Sequence, residues 1–223
     1  MGDIQYGEPV MFIINKMFIL FLCLPIFFSA CMNLKQPGNK IEYYTLEYGL
    51  PEMADLKPIP CVIRMERFTV APVYNTNQII YRDRSFNRNS YVYHKWRANP
   101  GDLVTHSLTR DIRQTGLFKA VLPSDSRHKA LFVLEGTVDE FFEWDSEINW
   151  KAVLSVNITL ITEDEPDTSK SILFQKSYHA AEECNRKDPS ALVEAMSRSA
   201  AIISEEIIRD IHDRLKDLDW KEK

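Results

Sequence analysis

Side chains that could support metal binding or acid–base catalysis are scattered along this sequence. Five histidines lie far apart, at His94, His106, His128, His179 and His212. None lies in an HExxH motif or at the short spacing from a second ligand that zinc sites use. The GxSxG, P-loop and GxGxxG motifs of hydrolases and phosphate-binding loops are also missing. The sequence therefore indicates no catalytic residue, no metal site and no cofactor.

Six carboxylates lie close together in one acidic run. They are Glu135, Asp139, Glu140, Glu143, Asp145 and Glu147. Such a run could supply calcium ligands or a general acid with its base. A strand with one face in water also carries alternating polar side chains, and the turn after it is polar. We favour this second interpretation.

The four cysteines lie in different parts of the chain. Cys23 lies inside an apolar run and Cys31 follows it, whereas Cys61 and Cys184 lie far apart in the remainder. No pair has the CxxC spacing of a zinc or redox site. Cys61 begins one strand pattern and Cys184 follows another, so a disulfide between them at one end of a sheet is one expectation in an oxidising compartment. The alternative is two unpaired thiols, of which one or both are buried.

The apolar run covers residues 17–28, with the sequence MFILFLCLPIFF, and carries no charge. Lys16 precedes it and small residues follow it. A basic flank, about a dozen apolar residues and a small-residue end are typical of a secretory signal peptide. A membrane-spanning helix needs about 20 apolar residues, and Pro25 would interrupt one here. The run therefore predicts export.

The end of this run, Phe28-Ser29-Ala30-Cys31, resembles the lipobox of bacterial lipoproteins, with Phe28 where Leu is usual. The resemblance implies cleavage before Cys31, attachment of diacylglycerol to its sulfur, and acylation of the new amino group by a chain such as palmitate. Several acyl chains, at about 0.8 kcal/mol per buried CH₂ group, make a durable anchor. The alternatives are a secreted protein cleaved after Ala30 and an uncleaved anchor helix.

Three segments follow from this organisation. Residues 1–30 are expected to be the signal peptide, with translation starting at Met1 or at Met11. Residues 31–40 are the lipidated cysteine and a polar tether, and residues 41–223 form a single periplasmic domain. Met32 follows the cysteine where an Asp would favour the inner membrane of enteric bacteria, so we expect the periplasmic face of the outer membrane. The formal charge of -5 offers no basic footprint, and with export this argues against nucleic acid as a partner.

Alternating apolar residues dominate the mature domain. They predict strands at residues 43–48, 61–70, 78–84, 89–96, 117–122, 131–144, 150–160 and 172–180. The third and fourth strands form a hairpin and the last three form a meander. On residues 131–144 the predicted buried face carries Leu134, Val138, Phe142 and Trp144.

Two amphipathic helices complete the pattern. Asn99 and Pro100 mark the start of the first helix, and Gly116 marks its end. Asp188 caps the second helix, which Pro189 begins. The order of elements predicts an α+β domain, with a largely antiparallel sheet and two helices packed on one face.

The predicted hairpin interleaves aromatic and cationic side chains, with YRDR at residues 81–84 and YVYHKWR at residues 91–97. Such side chains can bind lipid headgroups. In a hairpin they more often form cross-strand pairs, and we favour this packing role.

Several of these segments together resemble one protein family. The matching segments are YYTL at 43–46, IYR at 80–82, YVYHKW at 91–96, Pro100, TGLF at 115–118 and LEG at 134–136. They resemble the ABC-type transport auxiliary lipoproteins, the family of the paraquat-inducible protein C lipoprotein, over most of residues 41–210. Residues 97–102, RANPGD, depart from the acidic, proline-rich version of this turn.

The resemblance implies a role in transport and no catalytic residue. Such lipoproteins accompany an ABC permease, its ATPase and an MCE-domain protein, which together move phospholipid or related lipids between the inner and outer membranes. The ATPase supplies the energy, and the lipoprotein holds the periplasmic end of the system at the outer membrane. Two alternatives stay open, a binding or assembly lipoprotein of another envelope complex and an unrecognised periplasmic hydrolase.

Trp96 ends the aromatic strand and precedes the first helix, at a corner of the domain. Tryptophan is enriched at binding hot spots. One hypothesis is therefore that Tyr93, Trp96 and Arg97 contact a neighbouring subunit of a homo-oligomeric ring, or the MCE partner. The other is that Trp96 fills the space between hairpin and helix.

Overall fold

The structure is a computed structural model that describes residues 40–83, 85–146, 148–163 and 165–218. The predicted signal peptide, Cys31 and nearly all of the predicted tether lie outside the described residues. Within the described part, residues from Lys40 onward form one compact unit. This unit contains one nine-stranded sheet and three α-helices.

The strands and helices follow the predicted order. The strands are β1 (Glu42–Tyr44), β2 (Ile59–Met65), β3 (Thr69–Val70), β4 (Gln78–Arg82), β5 (Asn89–Trp96), β6 (Phe118–Leu122), β7 (Phe132–Asp145), β8 (Trp150–Thr162) and β9 (Ile172–Glu183). The helices are α1 (Pro100–Gln114), α2 (Thr168–Ser171) and α3 (Pro189–Leu215). A short 3₁₀ turn covers Pro72–Tyr74.

Strand β7 is the centre of the sheet. The antiparallel strand β8 pairs with it from Phe132 to Asp145, and β9 pairs antiparallel with β8, which confirms the predicted meander. The other edge of β7 is divided among β2, β3 and β4, and all three run parallel to it. β6 then pairs with β2 in parallel, β5 pairs with β4 in antiparallel, and β1 pairs with β5 in parallel.

The sheet is therefore mixed, and the prediction of a largely antiparallel sheet was wrong. Hydrophobic alternation reports which face of a strand is buried, but it carries no information on the direction of the neighbouring strand. Parallel neighbours need long connections. The connection between the parallel neighbours β2 and β6 is of this kind, because it contains β3, β4, β5 and α1.

The two long helices begin where their capping residues predict. The Asn99 side chain accepts a hydrogen bond from the Gly101 N–H at 3.0 Å, and Asp188 accepts one from the Ala191 N–H at 2.8 Å. Gly116 follows α1 with φ +66°, the left-handed conformation that commonly ends helices. The third helix, α2, was not predicted, and its four residues lie in the connection between β8 and β9.

The long helices pack on different strands and on each other. α3 contacts β8 and β9, whereas α1 contacts β6 and β7. Leu108 of α1 and Ile207 of α3 line one small internal cavity together with Leu154 of β8. Among the described helices, none combines the length and apolar character that crossing a bilayer requires.

The strand predicted at residues 61–70 is two strands in the structure. Between β2 and β3 the chain bends inward at Phe68, which is buried and whose N–H donates to the Thr105 hydroxyl at 2.9 Å. The Phe68 ring lies on Gly136 of β7, where a Cβ atom would come within 2.5 Å of ring carbons. Gly136 therefore makes the space that this bend requires.

Candidate interaction site at the first hairpin

The aromatic segment of β5 lies in a wide bulge. Gln78 pairs with Lys95 and Ile80 pairs with Ser90, so β4 advances two residues while β5 advances five. The additional residues break the alternation of faces in β5. Val92 and its neighbour Tyr93 are consequently both exposed.

Trp96 belongs to the core. Its side chain is 1% exposed, and it meets the Phe141 ring edge to face at 5.0 Å between centroids. β1 flanks it on the edge of the sheet, where Tyr44 pairs with Trp96. The structure therefore gives Trp96 the space-filling role, and a direct contact between its side chain and a partner was the wrong expectation. The reason is that Trp96, the last residue of β5, lies beyond the bulge, where the ring packs on Phe141 of β7.

Tyr93 and Arg97, the other two residues of the predicted contact, lie on the surface. Tyr93 is 43% exposed, and Tyr43 on the neighbouring strand β1 is 47% exposed. The Arg97 guanidinium lies over the Tyr43 ring at 5.1 Å from its centroid. We call Tyr43, Tyr93 and Arg97 the edge patch. It presents two rings and a cation, the residue types enriched at protein interfaces.

Glu143 is a buried carboxyl behind this edge. Its side chain is fully buried, and the Tyr91 hydroxyl donates to it at 3.1 Å from Oε1 and 3.0 Å from Oε2. Burial raises the pKa of Glu143 to about 7; the Tyr91 hydrogen bond opposes this shift, and the charge of Asp145 adds to it. The acidic run was interpreted as a solvated face and turn, and Glu143 is its exception.

A bulge in β7 explains why Glu143 was missed. Val138 pairs with Val156, but Glu140 pairs with Ser155, so the alternation of faces shifts between them. Beyond the bulge Glu143 is buried, whereas Trp144, predicted on the buried face, is 39% exposed. The sequence of residues 131–144 does not show this change of faces, because the bulge is defined by the pairing of β7 with β8.

Tyr91 and His94 join Glu143 to the outer strand β1. The Tyr91 ring meets the His94 imidazole edge to face at 5.9 Å, and His94 Nδ1 lies 3.1 Å from the Tyr44 hydroxyl. The Tyr44 hydroxyl donates to Glu42 at 2.7 Å. The arrangement is a polar link between β1, β5 and β7. Its contacts connect the hairpin to the central strand and to the edge strand of the sheet.

Cys61 and Cys184 are free thiols in the structure. They lie toward opposite ends of β7: Cys61 precedes Ile63, which pairs with Phe132, whereas the Cys184 N–H bonds to Trp150, which is aligned with Asp145. A disulfide requires Cα atoms within about 7 Å, so the register prevents the predicted bond. Burial raises the pKa of both thiols, to about 12 for Cys61 and about 11 for Cys184.

One cleft, of about 570 Å³, lies between α1 and the segment that follows β6. Its lining includes Arg67, Arg110, Arg113 and His106. Arg67 donates to Asp102 at 2.7 Å, and Arg110 pairs at 2.7 Å with Asp111, a fully buried carboxylate. Arg67 and Arg110 are therefore paired with acids of the same domain. Within the described part of the chain, no three potential metal ligands lie together.

Comparison with known proteins gives a family model and a shared fold. The family model described as ABC-type transport auxiliary lipoprotein component matches residues 44–208. A crystal structure of a protein from Xanthomonas campestris has a TM-score of 0.70 at 13% identity, covering 78% of this chain and 95% of that one. A crystal structure of an uncharacterized protein has a TM-score of 0.60 at 14% identity, covering 77% of this chain and 99% of that one. At these identities the similarity concerns the fold alone. No curated protein matches the sequence.

Proposed function

This chain belongs to the ABC-type transport auxiliary lipoprotein family, and from this premise we propose that it is the membrane-anchored periplasmic subunit of a transport system that moves phospholipid or related lipids between the inner and outer membranes. The observation that carries the proposal is the family match over residues 44–208, which covers nearly all of the described domain. The family consists of transport components rather than enzymes. Its lipoprotein character indicates a location in the cell envelope.

The anchor in this proposal is Cys31. Cleavage before Cys31 and acylation of its sulfur and amino group would fix the domain to the periplasmic face of the outer membrane. The support is sequence-based: an uncharged apolar run, a lipobox-like end and Met32 after the cysteine.

The partners in this proposal are an ABC permease, its ATPase and an MCE-domain protein. The ATPase supplies the energy, and this chain supplies a fixed point at the opposite membrane. The edge patch supports the partner contact, because Arg97 lies over the half-exposed Tyr43 of β1 and a second half-exposed tyrosine, Tyr93, lies on the neighbouring strand β5. We propose that it binds a neighbouring subunit of a homo-oligomeric ring or the MCE partner.

The test is co-purification from cross-linked membranes. Acylated wild-type protein should recover the permease, the ATPase and the MCE-domain protein. The double variant Tyr93→Ala with Arg97→Ala should lower this recovery at least fivefold while its melting temperature stays unchanged.

A matched control is Ile172→Ala with Arg127→Ala. Ile172 is 46% exposed on β9 and Arg127 is exposed in a loop, so the control removes one apolar and one cationic side chain elsewhere. Equal loss in both double variants contradicts a role of the edge patch. A wild-type protein that recovers none of the three transport components contradicts the proposed function.

A further inference from the structure

We propose that one end of the sheet rests on the membrane that carries the acyl anchor, with Phe86, Trp144 and Ile148 in the lipid headgroup region. We call these three residues, with Arg82 and Arg88, the sheet tip. The proposal rests on the proposed acylation of Cys31. It adds a second membrane contact, made by the folded domain itself.

Strand pairing places the members of the sheet tip at one end of the sheet. β4 runs parallel to β7, with Tyr81 opposite Glu143 and Arg82 opposite Trp144. The turn that follows β4 and the turn that follows β7 therefore emerge side by side. Phe86 lies in the first turn and Ile148 in the second.

The apolar side chains of the sheet tip are unusually exposed. Phe86 is 103% exposed and Ile148 is 85% exposed, the two highest values among the large apolar side chains that the structure describes. Single exposed apolar residues need no explanation, but several together at one end of a domain mark an interaction surface. Trp144, at 39% exposed, adds an indole, which favours the boundary between water and lipid.

Arginines accompany these aromatic rings. The Arg82 guanidinium lies 4.5 Å from the Trp144 ring centroid and 5.7 Å from that of Phe142, and Arg88 lies 5.7 Å from the Phe142 centroid. A guanidinium held against a ring can present its N–H groups to phosphate, and of these two rings Trp144 is the exposed one that can contact acyl chains. This combination of aromatic, aliphatic and arginine side chains is the composition of membrane-interface surfaces.

Acidic side chains at the same end of the sheet reduce the net positive charge that the sheet tip presents to a membrane. Asp83 accepts a hydrogen bond from the Ser85 N–H at 2.8 Å, and Asp145 is half-buried beside Trp144. Among the described residues of the sheet tip, two arginines therefore lie near two carboxylates. Contact with lipid should depend on the insertion of apolar side chains rather than on a strongly anionic membrane.

The length and direction of the chain before β1 support lipid as the occupant of the sheet tip. β1 runs parallel to β5 and pairs with its last three residues, with Glu42 opposite His94, so β1 points away from the sheet tip. Lys40, just before β1, follows Cys31 by nine positions. Nine residues span at most about 30 Å. A tether of this length lets the sheet tip reach the surface of the membrane that holds the acyl anchor.

Depth-dependent quenching in vesicles tests this contact. The full acylated chain is reconstituted in phosphatidylethanolamine–phosphatidylglycerol vesicles, and an environment-sensitive fluorophore is attached at Phe86→Cys or Ile148→Cys. The control is Lys129→Cys, an exposed position in the segment before β7 and thus at the other end of that strand. All three variants carry Cys184→Ser, because Cys184 is only partly buried.

We expect spin-labelled lipids to quench the fluorophore at positions 86 and 148 at least threefold more than at position 129, at every ratio of protein to lipid. Equal quenching at the three positions overturns the contact and leaves a protein partner as the occupant of the sheet tip. Stronger quenching at positions 86 and 148 that occurs only at a high ratio of protein to lipid overturns the lipid contact and indicates that a second copy of the chain covers the sheet tip. Mass spectrometry of the same sample measures acylation separately. A chain without acyl groups overturns both the proposed acylation of Cys31 and the membrane contact. An acylated chain without stronger quenching at positions 86 and 148 overturns the contact alone.

Discussion

The Tyr91 hydroxyl of β5 donates to both carboxylate oxygens of the buried Glu143 on β7, at 3.1 and 3.0 Å. β4 lies between these two strands in the sheet, so the bond crosses a strand. It connects the aromatic bulge of β5 to the central strand of the domain. A buried carboxylate without a donor carries a large desolvation cost, which makes this contact a sensitive point in the fold.

The substitution Tyr91→Phe removes the donor and keeps the ring. Above pH 7, where Glu143 ionises, we expect a loss of about 1–3 kcal/mol in the free energy of unfolding, measured with urea. Tyr93→Phe is the control, since Tyr93 is half-exposed. Equal stability of the two variants would contradict the importance of the Tyr91–Glu143 bond.

Glu143 should make the stability depend on pH. Its pKa is about 7 in the folded chain against an ordinary value of 4.5, so the folded state binds more protons than the unfolded state between these values. Its contribution to stability is complete below about pH 4.5 and is lost as the pH rises through 7, a fall of about 3 kcal/mol. Urea unfolding of the wild type and of Glu143→Gln at pH 5 and pH 8 measures this. In Glu143→Gln, the free energy of unfolding should differ much less between pH 5 and pH 8 than in the wild type. An equal difference in both proteins would exclude Glu143 as the source of the pH dependence.

Trp96→Ala should act on stability rather than directly on association. Removal of a buried aromatic side chain costs about 3–5 kcal/mol. Trp144→Ala removes the same side chain from a half-exposed position and should cost much less. Urea unfolding compares them, and similar losses would show that Trp96 does not carry the core packing described above.

Gly136→Ala places a methyl group against the Phe68 ring, at 2.5 Å from a ring carbon. Phe68 is buried and its N–H is held by Thr105, so we expect a loss of about 1–3 kcal/mol from overpacking. Phe68→Leu in the Gly136→Ala background should recover part of this loss. Additive losses in the double variant would mean that the two residues do not share the space.

Cys31→Ala should abolish acylation. We expect protein released from membranes or protein that keeps its signal peptide, and mass spectrometry of the purified N-terminus distinguishes these outcomes. Cys61→Ala is the control, because Cys61 is a buried thiol of the folded domain. An unmodified N-terminus that begins elsewhere in the wild-type protein would refute the lipobox interpretation.

Local signals were sufficient to place most secondary structure. The Asn99-Pro100 and Asp188-Pro189 pairs mark helix starts because an N-cap side chain satisfies free N–H groups of the first turn and proline has no N–H to leave unsatisfied. Both helices begin at these prolines in the structure. The meander was likewise predicted, because long alternation identifies half-buried strands and short polar connections join antiparallel neighbours.

The burial of Glu143 and the exposure of Trp144 depend on pairing between segments that are distant in the sequence. The alternation in residues 131–144 placed Trp144 inside, but the bulge between Val138 and Glu140 turns it outward and buries Glu143. A bulge is defined by the register against the partner strand, so the sequence of one strand does not reveal it. Phe142 lies beyond the same bulge and stays buried, as predicted.

The sequence alone determined the apolar export signal, the lipidation candidate Cys31, the capped helices, the alternating strands and the segments that resemble the family. Only the tertiary structure decided that β2, β3 and β4 run parallel to β7, that Cys61 and Cys184 lie toward opposite ends of that strand, and that Phe86 and Ile148 emerge together. The physical reason is the distance along the chain over which the two kinds of interaction act. Caps and periodicity act over a few neighbouring residues, whereas strand direction and register are set by contacts between segments tens of residues apart.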